Sequence, residues 1–423
     1  MIKRLGKEFL CKLLERQVVR LRAKHQFKIV AVGGSVGKTS TKLAIAKTLS
    51  ASKRVIYQDG NYNDRLTVPL VLFGHVEPGI FNIFAWLRIL MNNARQIKGD
   101  FPFDIAVLEL GTDAPGQMEQ FAYLKPDLYV LTAVAEEHME YFGNLDAVAD
   151  EELQPTKYSK QTIVNINNTA PQYLVGMPLI GYGIGVETDY TLTTREEHGL
   201  MGQKLIISAA TGKQLTVEVS ALGEQGAKLV LAAAAVADQL KIEESAIIKG
   251  LQSIKPVSGR MQVLSGIMGS TLLDDTYNAS PIAVKAALDV LYKTDAPQRI
   301  AILGTMNEMG EGSADMHSEV GAYCDPNKLD LIVTIGDQAG EFLAQAALKN
   351  GCQVKSFTSP YDAGKYVQQQ LKNGAVVLAK GSQNGVFAEE ALKQLLADQT
   401  DAKKLVRQSK YWLGVKSTQF KTD

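Results

Sequence analysis

Residues 28–49, KIVAVGGSVGKTSTKLAIAKTL, decide the fold, because an apolar run, a glycine-rich turn and a helical pattern follow one another directly. The apolar run predicts a buried strand, and the pattern from Lys38 to Leu49 predicts a helix. Glycines let the backbone curl so that its N–H groups face phosphate, and the helix N-terminus adds a favourable dipole. We therefore predict a phosphate-binding loop between the strand and the helix.

Two side chains of this loop have predicted roles with ATP: Lys38 reaches the β- and γ-phosphates, and Thr39 coordinates Mg²⁺. Val32 stands where the usual spacing of such loops has a glycine, so the loop departs from the standard pattern. The alternative, a tight turn with an incidental Gly-Lys-Thr, is disfavoured because the strand and helix context agrees with the residues. The predicted nucleotide-binding residues of the loop are Gly34, Ser35, Gly37, Lys38, Thr39 and Ser40.

The alternation of apolar runs and helical patterns continues beyond the loop. DIAVLEL (104–110), DLYVLTAV (127–134) and TIVNI (162–166) read as further strands of a largely parallel sheet, whereas residues 179–220 indicate an antiparallel flank. After Pro256 the strand–helix rhythm restarts. The sequence predicts an α/β fold with two domains: a P-loop-type central domain with a mostly parallel sheet, residues 28–258, and a Rossmann-like α/β C-terminal domain, residues 259–423.

Residues 1–27 form a separate basic segment that we predict to be an amphipathic helix. The first 28 residues contain nine Lys and Arg against two Glu, and the apolar residues Leu10, Leu14, Val18 and Leu21 recur at helical spacing. Two interpretations are open. The helix packs its apolar stripe on the following domain, or it contacts a membrane surface or a partner protein.

Composition excludes several classes of protein. The chain has 423 residues, 46% hydrophobic and 21% charged, with 45 Lys and Arg against 45 Asp and Glu, so disorder and a general affinity for nucleic acid are disfavoured. Cys11, Cys324 and Cys352 lack a metal-binding spacing, and we expect buried thiols. No apolar run is long enough to span a bilayer and no secretory signal is evident, which predicts a cytoplasmic protein.

Two polar residues follow strands of the predicted central sheet. Glu109 ends one strand and His138 comes after the next, and parallel strands bring both to the edge that carries the phosphate loop. A carboxylate and an imidazole there could bind a second metal ion. The pair alone leaves open a helix cap or ion pair for Glu109 and loop packing for His138.

The order of eight short motifs along the chain is more specific. They are GGSVGKTSTK (33–42), GNYNDRLTVPL (60–70), LELGTDAPGQM (108–118), EEHMEYFG (136–143), GR (259–260), DDTYNASP (274–281), LGTMNEMGEGSADMH (303–317) and AKGS (379–382). This order resembles that of the Mur ligases over roughly residues 28–396. It is most similar to the MurF branch, which adds D-alanyl-D-alanine to UDP-N-acetylmuramoyl-tripeptide.

The resemblance implies ATP-dependent amide synthesis through an acyl phosphate in peptidoglycan precursor synthesis. Lys38 would hold the γ-phosphate, and Thr39 would bind the first Mg²⁺. Glu109 and His138 would bind metal at the substrate carboxylate that is phosphorylated. Asn61 matches a position near the phosphates. The catalytic set is thus Lys38, Glu109 and His138.

The C-terminal domain contributes further residues by the same resemblance. Arg260 and Asp275 match nucleotide contacts, Asp275 at the ribose, and Tyr277 and Asn278 would line the adenine side. Lys380 and Ser382 match a region that contacts the acceptor or its amine partner. The expected substrates are a small-molecule or nucleotide-sugar peptide acceptor and an amino acid or dipeptide, bound by a monomer.

The chain departs from the family pattern at several positions. About 30 residues precede Gly33, where MurF has a UDP-binding domain, which affects how UDP would be recognised. Gln225-Gly226 stands in place of a His-Asn pair that contacts adenine, and Glu136 and Glu137 make the corner before His138 acidic. His317 is predicted to be structural.

The position of the family's carbamylated lysine falls near Glu152, with Lys157 five residues later. A carbamylated lysine is a long carboxylate, so we predict that Glu152 binds metal directly without CO₂ modification. The alternative is a solvated acidic helix face formed by Asp150, Glu151 and Glu152.

Two other functions remain open alongside a MurF-like ligase. One keeps the chemistry and changes the acceptor, as in ligases of the polyglutamate or cyanophycin type. The other is a nucleotide-binding scaffold without ligase activity.

Overall fold

The computed structural model describes residues 2–60, 62–79 and 82–420. They form two α/β units, each around its own sheet, so the predicted fold class is confirmed. Among the described residues, none of the helices is both long and apolar enough to cross a membrane. Cys11, Cys324 and Cys352 are buried free thiols, as expected.

The sheet of the first unit has nine strands. They are β1 (Lys28–Gly33), β2 (Val55–Ile56), β3 (Ile105–Glu109), β4 (Leu128–Leu131), β5 (Gln161–Asn165), β6 (Ile180–Ile184), β7 (Tyr190–Glu197), β8 (Gln203–Ala209) and β9 (Gln214–Val219). Their order is β2-β3-β1-β4-β5-β6-β7-β8-β9, with parallel pairing up to β7 and antiparallel pairing from β7 to β9. β1 lies between β3 and β4, so the segments after these three strands meet at one edge.

Eight helices belong to the first unit as described. They are α1 (Ile2–Lys24), α2 (Lys38–Ser50), α3 (Thr67–Leu72), α4 (Ile83–Lys98), α5 (Met139–Phe142), α6 (Leu145–Glu152), α7 (Gly223–Gln239) and α8 (Glu244–Gln252). α2 and the alanine-rich α7 cover one face of the sheet in a shared core. The other face packs against the C-terminal part of α1 and against α3 and α6.

The second unit has a six-stranded sheet. Its strands are β10 (Gln262–Ser265), β11 (Thr271–Asp275), β12 (Arg299–Gly304), β13 (Leu331–Ile335), β14 (Val354–Phe357) and β15 (Val376–Lys380), in the order β10-β11-β15-β12-β13-β14. Only β10 pairs antiparallel. The helices are α9 (Pro281–Lys293), α10 (Ser313–Tyr323), α11 (Ala344–Lys349), α12 (Pro360–Gln370), α13 (Glu389–Lys393) and α14 (Lys410–Gln419), and a π-helical turn, Ala339–Leu343, leads into α11.

The first helix packs on the unit that follows it. Leu14, Val18 and Leu21 of α1 are fully buried. Leu14 joins an apolar cluster with α3 and α4, and Val18 and Leu21 join the core under the central sheet. The apolar stripe seen in the sequence is therefore used inside the protein.

Candidate active site

A cleft of about 1700 Å³ lies between the two units. From the first unit it is lined by residues 35–41, Glu109, residues 111–113, residues 136–138 and residues 257–258. From the second unit it is lined by residues 259–262, Asp275, residues 277–280, residues 307–309 and Lys380. Residues from both units thus face one space. This arrangement fits a ligand that is held by both units at once.

The phosphate loop occupies the floor of the cleft between β1 and α2. Gly34 has φ 113°, and a Cβ at this position would lie 2.4 Å from Thr132 Oγ1. Gly37 caps α2 with φ 86°. Left-handed backbone is costly for other residues, so the curl of the loop depends on these two glycines. The loop predicted from the sequence is formed.

Lys38 faces a carboxylate across the cleft. Its Nζ lies 3.2 Å from Glu137 Oε2 and 3.4 Å from the Ser35 carbonyl oxygen. Burial lowers the pKa of Lys38, but Glu137, Glu152 and Glu109 outweigh it and raise the pKa above its usual value. The Lys38 side chain is therefore positively charged at neutral pH. Glu137 contacts the same ammonium group that would bind a phosphate of the nucleotide.

Thr39 and Glu109 lie in direct contact, as the predicted metal site requires. The Thr39 hydroxyl donates to Glu109 Oε1 at 3.0 Å, and Asn63 Nδ2 donates weakly to the same oxygen at 3.4 Å. Lys42 Nζ lies 3.2 Å from Glu109 Oε2 in ionic contact, but Oε2 accepts no hydrogen bond. Burial lowers the pKa of Lys42, with Glu109 opposing.

His138 bridges the two units. Its Nδ1 lies 2.7 Å from Glu308 Oε2 of the second unit, and its Nε2 lies 3.5 Å from Asp113 Oδ1 and 3.6 Å from Glu137 Oε1. Burial lowers the pKa of His138, but Glu308 and Glu137 outweigh it and raise the pKa above its ordinary value. His138 and Glu308 both have left-handed backbone, with φ 51° and 65°.

Glu152 lies behind the phosphate loop, not on a solvated face. It is 1% exposed, and its Oε2 accepts the N–H of Gly34 at 2.7 Å. Burial raises the pKa of Glu152 to about 7, against the opposing charge of Lys38. The alternative of a solvated acidic face is wrong for Glu151 and Glu152, which are both buried. Glu151 instead accepts the backbone N–H groups of Gly116 and Met118.

Lys157, the other candidate for the family's modified lysine, is exposed and donates to Gln154. Asn61 lies outside the described residues.

The oxygen donors next to the loop fit Mg²⁺. The Thr39 hydroxyl and the buried Glu109 carboxylate are oxygen ligands, and Glu109 Oε2 has unused acceptor capacity. Among the described residues, however, no three His, Cys, Asp or Glu side chains are already grouped to hold a metal ion. Binding by His138 through Nε2 would require that nitrogen to lose its proton, whereas Nδ1 could stay on Glu308.

The second unit presents an aromatic and ionic wall. The Arg260 guanidinium lies 4.2 Å from the centre of the Tyr277 ring. Asp275 Oδ1 accepts the N–H of Met261 at 3.0 Å, and its Oδ2 accepts from Lys380 Nζ at 2.7 Å. Arg260, Asp275, Tyr277 and Asn278 all line the cleft opposite the phosphate loop. The structure thus brings these predicted nucleotide contacts together.

Lys380 and Ser382 have partners within the protein. Lys380 is buried and also donates to the Asn278 carbonyl oxygen at 2.9 Å. Ser382 is fully buried, and its Oγ accepts the N–H of Asn307 at 2.9 Å. Both side chains join loops of the second unit. Their contact with substrate stays a prediction.

His317 has a structural position. It is fully buried, its Nε2 accepts the N–H of Met306 at 2.9 Å, and its Nδ1 lies 2.7 Å from the Ser313 carbonyl oxygen. Burial lowers the pKa of His317. A neutral ring that donates from Nδ1 satisfies both contacts and fixes the loop that carries Glu308.

Sequence reasoning did not assign roles to Lys42, Asn63 or Glu308, although all three lie within the quoted motifs. Lys42 could have been found, because it lies one helical turn after Lys38 on the same face of α2. Glu308 had no such signal, since its contact with His138 spans the two units.

Comparisons with known proteins agree with this geometry. Residues 94–237 match the model of the Mur ligase middle domain, and residues 259–383 match that of the Mur ligase glutamate ligase domain; together they cover well over half of the chain. The UDP-N-acetylmuramoyl-tripeptide–D-alanyl-D-alanine ligase of Bacillus subtilis is 28% identical over 384 residues, which are 87% of this chain and 76% of the relative. The Haemophilus influenzae enzyme of the same name is 28% identical over 381 residues, 86% of this chain and 76% of its own length.

Solved structures share the fold. MurF from Thermotoga maritima in complex with ADP superposes with a TM-score of 0.74 at 24% identity, covering 94% of this chain and 84% of that one. MurF from Acinetobacter baumannii superposes with a TM-score of 0.74 at 22% identity, covering 92% of this chain and 80% of that one. The phosphate loop, the two-unit cleft and the family matches agree: the chain belongs to the Mur ligases, and it is an ATP-dependent ligase that forms carbon–nitrogen bonds.

Proposed function

We propose that this chain joins D-alanyl-D-alanine to UDP-N-acetylmuramoyl-tripeptide, with ATP and Mg²⁺, in the cytoplasm and as a monomer. The γ-phosphoryl group of ATP would pass to a substrate carboxylate, leaving ADP. The amine would then attack the acyl phosphate carbon, with release of phosphate and formation of the amide.

The observation that carries the proposal is the cleft, which has the phosphate loop on one wall and Arg260 with Asp275 on the other. A nucleotide whose phosphates lie on the loop would have its base and ribose within reach of the second unit. Closing the two units around it would exclude water, which an acyl phosphate requires because it hydrolyses.

The residues of the first unit would divide the work by charge. Lys38, positively charged throughout the working pH range, would stabilise the transferred phosphoryl group. Thr39 and Glu109 would hold Mg²⁺, and His138 would add a ligand near the reacting carboxylate. When bound, the metal neutralises charge on the phosphates and the carboxylate.

Glu152, in its ionised form, would supply the negative charge that a carbamylated lysine gives elsewhere in the family. Its contact with the Gly34 N–H and its charge interaction with Lys38 place it against the phosphate loop. A carboxylate that is present in the sequence needs no CO₂. We therefore infer a ligase whose activity is independent of bicarbonate.

The test is phosphate release from ATP and Mg²⁺ in the presence of UDP-N-acetylmuramoyl-tripeptide and D-alanyl-D-alanine, with product mass measured in parallel. Reactions that lack one substrate are the controls. Release that requires both substrates, with a pentapeptide product, would support the proposal.

Phosphate release that is stimulated by another acceptor, such as a glutamate polymer, would mean that the chain catalyses the same reaction on that substrate. Nucleotide binding without turnover under any of these conditions would contradict a ligase and favour a scaffold.

A further inference from the structure

The outward face of α1 differs from its buried stripe. Phe9 and Val19 are 66% and 49% exposed, and Arg16 and Arg20 are exposed beside them. Arg16 comes seven residues after Phe9, and Val19 and Arg20 come three and four residues after Arg16, which places them along one side of the helix. The outer face of α1 therefore mixes large apolar groups with positive charge.

The acidic residues of α1, Glu8 and Glu15, lie at the border of this face. Glu8 Oε2 lies 2.7 Å from Arg65 Nη1, and Glu15 Oε1 lies 2.5 Å from Arg65 Nε. Arg65 thus contacts both carboxylates, and Glu8 Oε1 also lies 3.5 Å from Nζ of the exposed Lys12. Among the described residues, the ion pairs formed by Glu8 and Glu15 do not include Arg16 or Arg20.

The exposed face of α4 has the same character. Ile83, Phe84, Leu87 and Met91 are all more than half exposed, Phe84 at 86%. Exposed Arg88 and Arg95 lie along the same side, and α4 contains no acidic residue. Isolated exposed apolar residues are common on protein surfaces, but four of them in a row on one helix form a patch that is typical of an interaction site.

The two helices lie side by side and run in the same direction. Gln17 donates to the Leu90 carbonyl oxygen at 2.9 Å and accepts from Asn93 at 2.8 Å, and further along the pair His25 lies 3.2 Å from the Ile97 carbonyl oxygen. Both helices pack on α3 through the same apolar cluster. Their outer faces therefore point away from that cluster and form one surface, here called the α1–α4 surface.

We propose that the α1–α4 surface binds the face of an anionic lipid bilayer. The apolar side chains of α4 and Phe9 would enter the headgroup region, and Arg16, Arg20, Arg88 and Arg95 would contact lipid phosphates. Interfacial binding of this kind combines apolar insertion with attraction to anionic lipids. It places the chain on a membrane without a spanning segment.

The chemistry favours a lipid surface over other partners. A nucleic acid would pair with the arginines but would leave Phe84 and Leu87 in water. A second copy of the chain would bring equal positive charge to the contact, since the surface has arginine along both helices. An anionic bilayer satisfies both the charge and the apolar groups.

The test is co-sedimentation of the full chain with vesicles of phosphatidylglycerol and phosphatidylcholine, compared with vesicles of phosphatidylcholine alone. We expect binding only to the anionic vesicles, and its loss at high salt. Absent binding, or equal binding to both vesicle types, would overturn the proposal.

Two pairs of variants separate the contributions. Phe84→Ser with Leu87→Ser removes apolar insertion, and Arg88→Gln with Arg95→Gln removes charge; each pair should weaken vesicle binding about tenfold or more. All four residues are exposed and lie outside the cleft, so ligase activity in solution should not change. If a substitution instead disturbed the structure of the active site, ligase activity in solution would fall together with vesicle binding.

Matched controls lie elsewhere on the surface: Val175→Ser with Met201→Ser for apolar exposure, and Lys355→Gln with Lys372→Gln for charge. Equal losses from the controls would overturn the assignment. So would a dimer in light scattering that the Phe84→Ser and Leu87→Ser changes convert to a monomer, because the surface would then join two copies of the chain.

Discussion

The two α/β units each contain a cluster of buried charge, and the clusters differ in how completely they are paired. In the second unit the cluster consists of Glu389, Glu390, Arg407 and Lys416. Lys416 Nζ lies 2.8 Å from Glu389 Oε1 and 2.6 Å from Glu390 Oε1, and Arg407 binds Glu389 at 2.9 Å. Burial would raise the pKa of Glu390, but hydrogen bonds from Lys416 and Gln408 outweigh it and lower the pKa. Two anions meet two cations.

The cluster in the first unit is unbalanced. It consists of three carboxylates, Glu109, Glu137 and Glu152, against the ammonium groups of Lys38 and Lys42. Glu109 Oε2 has no hydrogen bond, and burial raises the pKa of Glu152 to about 7. A fully paired cluster holds a fold together, whereas a cluster with one carboxylate more than it has cations, beside a phosphate loop, leaves capacity for a further cation and its nucleotide.

Removing the cation of the first cluster should have the largest effect. Lys38→Ala should reduce ATP turnover about a thousandfold or more, because the transferred phosphoryl group loses its fixed positive charge. Phosphate release at saturating substrates measures the change, and circular dichroism checks the fold.

Lys53→Ala is the matched control, since Lys53 is exposed just beyond the end of α2. Normal turnover by a folded Lys38→Ala protein would remove the loop from the mechanism and leave the unbalanced cluster without a function.

Glu152 tests whether the excess negative charge itself is used. Glu152→Gln keeps an acceptor for the Gly34 N–H but removes the charge, and Glu152→Ala removes both. Each should lower activity about a hundredfold, and added bicarbonate should not restore it. Asp150→Asn, on an exposed side chain of the same helix, should be neutral. Full activity in Glu152→Gln would show that Glu152 only supports the loop.

The same variant predicts a pH dependence of stability. The pKa of Glu152 is raised from 4.5 to about 7, so the folded protein holds this proton more tightly than the unfolded chain does between those values. The wild type should lose stability as pH rises through that window, by up to about 3 kcal/mol, and Glu152→Gln should not. Denaturant unfolding of both proteins at several pH values measures the difference, and parallel curves would contradict it.

The sequence predicted the local parts of the site well and the distant contacts poorly. Lys38 and Thr39 belong to one short motif whose backbone geometry is set by Gly34 and Gly37, so their neighbourhood could be predicted. Glu109 could be placed because parallel strands end at one edge. These inferences depend only on neighbouring residues and on strand direction.

The partners that the sequence did not predict come from packing between distant segments. Whether Glu151 and Glu152 face solvent or core depends on how α6 meets the loop, which helical periodicity alone does not decide. Lys416 is a further case. The sequence analysis assigned it no role, yet it is fully buried on Glu389 and Glu390.

The balanced cluster should respond in stability, not in chemistry. Lys416→Met should cost about 3–5 kcal/mol in the free energy of unfolding, because it leaves the buried Glu390 without its nearest cation and Glu389 with Arg407 alone. Lys410→Ala, on an exposed residue of the same helix, is the control. A loss of activity in Lys416→Met without a loss of stability would reverse the contrast between the two clusters.

The smallest effect should come from the contact that joins the units. Glu308→Gln keeps the size of the side chain but removes the charge that faces His138 Nδ1 at 2.7 Å. The hydrogen bond from His138 lowers the pKa of Glu308, and Glu308 helps to raise the pKa of His138. The ion pair therefore exists at pH values above the pKa of Glu308 and below the pKa of His138. We expect the KM for ATP to rise about three- to fivefold, with little change in kcat. A loss of this size is typical of a partly exposed ion pair, here one that helps the two units to close.

The pH profile separates this role from a general weakening of the loop. As pH rises through the pKa of His138, the wild type loses the ion pair, so its KM should approach that of Glu308→Gln. Glu311→Gln, an exposed change in the same loop, should leave KM unchanged at every pH. A loss of kcat in Glu308→Gln that persists at high pH would mean that Glu308 belongs to the unbalanced cluster, as a fourth carboxylate contributed by the second unit.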